Sequence, residues 1–297
     1  MATPERLVGV HVDGPAERTL FLALLDDAAV FPPALAPLSV AITDHVARAS
    51  SPSADLVGPL LLPTSAVDDF LHLEGRPQQL DVALIGPPSV ALTLVSECVE
   101  RLDNAPGVTL KGVEIGWSPE WPQALIWGTS LSVEVPPGSE QGRALSEIWE
   151  HARQPRQTHR LQAKFRTGST PDRPVPSPTE LAFFIRACVD HDLSFKLTGG
   201  LHHAISHANA RGEEQFGFLN VIAAARWALA HGAEVPEMES LLSERDPMPI
   251  LDIVTRMSQA DASVVRAFFT AYGCCEVMDP IGELAALGLI DQGGDPA

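Results

Sequence analysis

Leu161–Arg166 reads LQAKFR, and Leu193–Leu197 reads LSFKL. In both runs apolar and polar residues alternate. Successive side chains on a strand point to opposite faces. Leu161, Ala163 and Phe165 therefore share one face, and Gln162, Lys164 and Arg166 the other. In the second run Leu193, Phe195 and Leu197 oppose Ser194, Lys196 and Thr198. The loop GSTPDRPVPSP and a helical stretch over Thr179–Asp190 separate the two runs. A strand, a helix and a second strand in that order call for parallel pairing, with the helix covering the sheet.

The same rhythm extends outward through the chain. Apolar runs at Leu24–Phe31, Leu56–Leu62, Leu80–Ile85, Val108–Ile115 and Leu131–Val135 come before, and Gly273–Val277 comes after. Helices are predicted over Ser39–Ala49, Ala66–Leu73 with Ser65 as N-cap, Ser89–Leu102, Glu140–Arg153, Phe218–His231 and Ile281–Leu289. Residues 235–265 read as a helical insertion ahead of the last strand. Eight such units predict an α/β chain, a single (β/α)8 TIM-type barrel over residues 1–297. A length of 297 residues suits one such domain. No glycine-rich dinucleotide fingerprint follows the first strand, and no phosphate-binding loop motif is present.

Charge narrows the function classes. Twenty Lys and Arg stand against 38 Asp and Glu, a net charge of −18. Such a surface repels nucleic acid and anionic membranes, so neither is an expected partner. No apolar run is long enough to span a bilayer. Met1–Gly14 carries no apolar leader core. Cys98, Cys188, Cys274 and Cys275 lack zinc or CxxC spacing and read as reduced thiols. The expected location is cytoplasmic, and homo-oligomerisation is left open.

The chain has three lysines, Lys111, Lys164 and Lys196. Where arginine supplies nearly all the basic charge, a lysine has more reason to be needed for its amine. The apolar strand faces must meet the helices, so the polar faces point into the barrel. That places Glu114, Glu134, Lys164, Arg166 and Lys196 on one inner wall, where barrel enzymes carry their catalytic groups. Lys111 falls on the other face, as a snorkelling surface lysine. Five buried charges are a costly structural device, which favours a site. Lysines on neighbouring strands sit about 5–7 Å apart. Each disfavours the charge on the other, so one amine is expected to lose its proton more easily. A neutral lysine adds to aldehydes and ketones and forms a Schiff base. Glu114 and Glu134 are then the proton-transfer groups, and Arg166 the anchor for a carboxylate or phosphate.

Lys164-Phe165-Arg166-Thr167-Gly168 and Phe195-Lys196-Leu197-Thr198-Gly199-Gly200-Leu201 resemble the paired lysine strands of the deoxyribose-phosphate aldolases. The resemblance covers about fifteen residues and implies a class I aldolase on a (β/α)8 barrel, needing no cofactor or metal. It implies Lys164 as the Schiff-base lysine and Lys196 as the residue lowering its pKa. Glu114 would relay protons where the family has aspartate. Gly199 and Gly200 would bind phosphate through backbone N–H groups. The chain departs from the family in His202-His203 after the Gly-Gly turn and in having Arg166. The whole chain also resembles bacterial proteins without an assigned activity.

The expected function is a carbon–carbon lyase acting on a small carbonyl or sugar-phosphate-like substrate. Lys164, Lys196, Glu114 and Glu134 are the catalytic candidates. Arg166, Thr198, Gly199, Gly200, His202 and His203 are the substrate-binding ones. One alternative is a metal-dependent hydrolase or lyase using His202 and His203, with His207, Glu213 and Glu214 nearby in sequence. Another is a non-catalytic, degenerate barrel with ordinary lysine pKa values. Asp26 and Asp27 end the first predicted strand, where one of them could face the barrel mouth or cap a loop. Cys274 and Cys275 fall on the eighth, one facing inward.

Overall fold

The computed structural model describes residues 17–171, 173–209 and 212–290; Met1–Gly14, read as lacking a leader, lies outside them. In chain order the elements are α1 (Glu17–Phe21), β1 (Leu25–Asp27), α2 (Leu38–Arg48), β2 (Val57–Pro63), α3 (Val67–His72), β3 (Leu80–Gly86), α4 (Leu92–Asp103) and β4 (Val108–Gly116). β5 (Leu131–Glu134), α5 (Gln141–Ala152), β6 (Leu161–Arg166), α6 (Pro178–Asp190) and β7 (Phe195–Thr198) follow. A small hairpin, β8 (His207–Ala208) and β9 (Glu214–Gln215), precedes α7 (Phe218–His231), α8 (Val235–Ser243), α9 (Pro247–Thr255) and α10 (Gln259–Phe268). β10 (Phe269–Cys274) and α11 (Met278–Ala286) close the fold.

Eight strands form a closed barrel in the order β1-β10-β7-β6-β5-β4-β3-β2. The neighbouring strands pair in parallel. The TIM-type barrel expected from the alternating runs is therefore the fold. Its outward strand faces meet the helices as the pattern requires. Phe165 of β6 stacks on Phe184 of α6 with ring centroids 4.8 Å apart. Phe184 meets Phe195 of β7 edge-on at 5.5 Å, and Phe195 stacks on Phe269 of β10 at 5.4 Å. All four rings are buried. Burial of each contributes on the order of 1.5–3 kcal/mol.

α6 begins at a capping box, in which the Ser177 hydroxyl accepts from the Glu180 N–H while Glu180 accepts from the Ser177 N–H. Pro178 fits the first turn, where no N–H partner is needed. This fixes where the long loop after β6 ends. Residues 235–265 are helical as expected: α8, α9 and α10 lie between α7 and the last strand.

Several boundaries differ from the sequence reading. The eighth barrel strand is Phe269–Cys274, earlier than Gly273–Val277, because α10 runs into it with no glycine or proline to mark the change. The first strand is only Leu25–Asp27, after which the chain turns into the barrel mouth. The seventh starts at Phe195 instead of Leu193. Ser65 does not cap α3; it lies inside a 3-10 turn, Thr64–Ala66, and no side chain caps the helix start. α4 begins at Leu92 because Ala91 is still extended. The last helix starts at Met278, not Ile281. Between β4 and β5 the connection is the 3-10 segment Trp121–Trp127. Among the described residues no helix is long and apolar enough to cross a membrane.

Candidate active site

The polar strand faces converge in one buried ionic layer. β6 and β7 pair so that Lys164 stands opposite Lys196, and β5 pairs with β6 so that Glu134 stands opposite Lys164. Lys164 Nζ lies 2.7 Å from Glu114 Oε2 and 3.0 Å from Glu134 Oε2. Lys196 Nζ donates to the other Glu114 oxygen and to Asp26. Arg166, two residues beyond Lys164 on the same face, donates from Nε to Glu134 Oε1 at 3.0 Å. All five charges expected on the inner wall are there. Glu114, Lys164 and Lys196 are each under 5% exposed. Lys111, expected on the face away from Glu114, sits beside a register shift in β4 that breaks the alternation; it pairs with Asp81 at 3.1 Å and lines the lower mouth of the barrel.

Asp26 is the sixth charge, and sequence reasoning left its face undecided. Two aspartates in tandem on a strand must point to opposite sides. Asp26 faces inward to Lys196. Asp27 faces outward, where it holds His45 and Arg48 of α2 and accepts from the Ala29 N–H. The tandem pair was the available signal. Gly58 on the adjacent strand is the second trace, since a β-carbon there would sit 2.1 Å from Asp26 Oδ1.

The electrostatics overturn the expected depression of the lysine pKa. Burial works to lower the Lys164 amine, but Glu114 and Glu134 outweigh it and hold its pKa above the ordinary value. Burial likewise opposes the charge on Lys196, and Asp26 and Glu114 raise it. Burial favours the neutral Glu114 carboxyl, yet Lys164 and Lys196 hold its pKa down at about 2. Glu134 is lowered too, by Lys164 and Arg166 against burial. Asp26 is raised, because burial dominates there. Two lysines side by side would repel, but a carboxylate between them reverses the sign. At rest both amines are ammonium ions.

Above the ionic layer, at the C-terminal end of the barrel, a cavity of about 590 Å³ opens onto Glu114, Lys164, Arg166, Thr198, Gly199 and Gly200. That volume suits a small metabolite. A second cavity of about 310 Å³ enters from the opposite mouth and reaches Asp26, Glu114 and Lys196. The charges thus form a floor shared by two openings, with Lys164 facing the upper one.

Gly199 and Gly200 have φ of +71° and +78°, a region open to glycine. A β-carbon at Gly199 would also lie 3.3 Å from Arg166 Nη1. The turn therefore lets the guanidinium approach the backbone. Thr167 fastens it by donating to the Thr198 carbonyl at 3.3 Å and to the Gly199 carbonyl.

The loop after β7 is tied down by Asn220 of α7. Asn220 accepts from the Ser206 N–H at 2.9 Å and donates to the Leu241 and Glu244 carbonyls at 2.8 Å each. This places His202 on the cavity wall, with Nδ1 3.8 Å from the Cys275 sulfur and 3.9 Å from that of Cys274. Burial, with His203 beside it, lowers the His202 pKa. Cys275 lines the cavity, and burial raises its thiol pKa.

The remaining histidine candidates scatter. His203 pairs with Glu283 of α11 and stacks edge-on with His207 at 4.4 Å, away from the lysines. Glu214 pairs with Arg245. Among the described residues no group of three or more His, Cys, Asp or Glu side chains is gathered to hold a metal ion. The four cysteines are free and buried. Compared with protein-family models, curated proteins and solved structures, the chain matches none of them.

Proposed function

We propose that the protein is a Schiff-base lyase that cleaves or forms a carbon–carbon bond next to the carbonyl of a small substrate. The observation that carries this reading is Lys164: a buried amine at the floor of a 590 Å³ cavity, with carboxylates at 2.7 and 3.0 Å within reach of its proton. The ion pair is the resting form, so the arriving substrate drives transfer of that proton to Glu114 or Glu134, which leaves a neutral amine and a carboxylic acid. The amine then adds to the carbonyl carbon, and the carbonyl oxygen takes protons and leaves as water. The resulting iminium draws in the electron pair of the adjacent carbon–carbon bond as that bond breaks. The departing fragment gives up its hydroxyl proton to a carboxylate and becomes an aldehyde. The enamine takes a proton on carbon, and water hydrolyses the iminium to release the second product. Lys196 holds Glu114 in place and supplies positive charge beneath it.

Reductive trapping tests this. With borohydride and a panel of aldehydes, ketones and oxo acids, intact mass should show one adduct. Peptide mapping should place it on Lys164. Lys164→Met should lose the adduct while keeping the fold. An adduct on Lys111 or Lys196 alone would overturn the assignment.

A second reading follows from the raised lysine pKa values. Lys164 can remain an ammonium ion that stabilises an enolate oxygen while a glutamate removes the neighbouring proton. This reading predicts hydrogen–deuterium exchange next to the substrate carbonyl and no trapped adduct.

A further inference from the structure

The upper cavity has an ionic wall and an apolar wall, with Ser169, Thr170, Asn209, Glu213 and Gln215 from the loops also lining it. Its ionic wall comes from β4 to β7, a continuous arc of the barrel, which supplies Glu114, Lys164, Arg166 and Thr198. The complementary arc, β10-β1-β2-β3, supplies Leu61 and Ile85 from within β2 and β3, Ala28 and Cys275 just past β1 and β10, and Phe31 on the loop after β1. These residues form a hydrophobic cluster of their own, separate from the main core between sheet and helices. An apolar cluster at an open mouth is left to bind something apolar. On the ionic side, Lys164 and Arg166 both contact the Glu134 carboxylate, at 3.0 Å each. Their cationic groups are therefore gathered around one carboxylate.

Resting on the reading that Lys164 meets the substrate carbonyl, we infer that the substrate is a 2-oxo acid with an apolar aliphatic or aromatic substituent. The carboxylate faces Arg166 and the adjacent carbonyl faces Lys164, the two cations that Glu134 gathers at the cavity floor. The substituent lies across the mouth against Phe31, Leu61 and Ile85. Hydroxyls turned toward that apolar arc would find no partner in it, so the arc favours an apolar substituent over a polyhydroxylated one.

The test uses one probe that cannot form a Schiff base and others that can. 3-Phenyllactate has the carboxylate and the ring but no carbonyl, and its binding is measured by calorimetry. It should bind at least about tenfold more tightly than lactate. Both Leu61→Asn and Ile85→Ser should weaken it by about tenfold or more. Ile85 is only partly buried, so that variant keeps the test decisive if Leu61→Asn fails to fold. Arg166→Gln should weaken both ligands. In borohydride trapping, phenylpyruvate and 4-methyl-2-oxopentanoate should react at Lys164 faster than glyceraldehyde 3-phosphate.

If 3-phenyllactate binds as described but no oxo acid is trapped, the Schiff-base reading fails and the substrate class stands. If glyceraldehyde 3-phosphate is trapped and the apolar oxo acids are not, the substrate class fails and the Schiff-base reading stands. Binding of 3-phenyllactate no tighter than lactate, or unchanged by both apolar-arc variants, also overturns the class.

Discussion

Lys164 and Lys196 stand opposite each other in the β6–β7 register, and Glu114 lies between their amines, one oxygen to each. That carboxylate turns a repulsive pair into a bridged one. The consequence is a buried network in which each lysine has two carboxylates and each charge depends on its neighbours.

Adduct formation should therefore depend steeply on pH. The folded Lys164 pKa is raised above the ordinary 10.5. The fraction of neutral amine keeps rising with pH up to and beyond that value. The rate of borohydride trapping should climb through alkaline pH with no plateau below 10.5. A plateau near neutrality would show that substrate binding itself deprotonates the lysine.

Glu114→Gln should destabilise the fold by about 3–5 kcal/mol, the usual cost of leaving buried charges unpaired. Its folded pKa is depressed to about 2, so its contribution is present above the unfolded value and lost as pH falls from about 4.5 to about 2. Urea unfolding of the wild type should show that acid limb, and the variant should show less of it.

Asp26 and Asp27 should separate in their effects although they are adjacent. Asp26→Asn removes one counter-charge from Lys196 and should lower its pKa, read by NMR titration of the amine. With three lysines in the chain, single substitutions assign every signal. Asp27→Ala should leave that titration unchanged and cost stability of about 3 kcal/mol or more, because it frees the buried side of Arg48 and His45.

Gly199→Ala should cost about 1–2 kcal/mol of strain at a φ of +71°. It also pushes on Arg166, whose Nη1 is 3.3 Å from the new methyl position. Affinity for carboxylate ligands should fall more than stability does, as read by calorimetry and thermal melting on the same protein. Equal binding by variant and wild type would remove Arg166 as the anchor.

How much of this was legible in advance varies residue by residue. The alternation in LQAKFR and LSFKL exposed the inward direction of Lys164, Arg166 and Lys196, because strand geometry forces every second side chain to one face. The same rule sent Lys111 outward, but a register shift in β4 breaks the alternation there and leaves Lys111 at the lower mouth, beside Asp81. Boundaries without glycine or proline were hidden, as at Phe268–Phe269, where helix passes straight into strand.

Local periodicity determined the barrel and the direction of its inner lysines, since both follow from short-range backbone geometry. It could not determine the charge state of those lysines. That depends on Asp26, 170 positions from Lys196, and on Glu114, 82 positions away. Barrel closure sets β1 against β10, which itself pairs with β7, bringing Asp26 to Lys196. Because the Coulomb interaction depends on distance in space and on local dielectric, not on separation along the chain, only the closed structure decides which partner each buried charge meets.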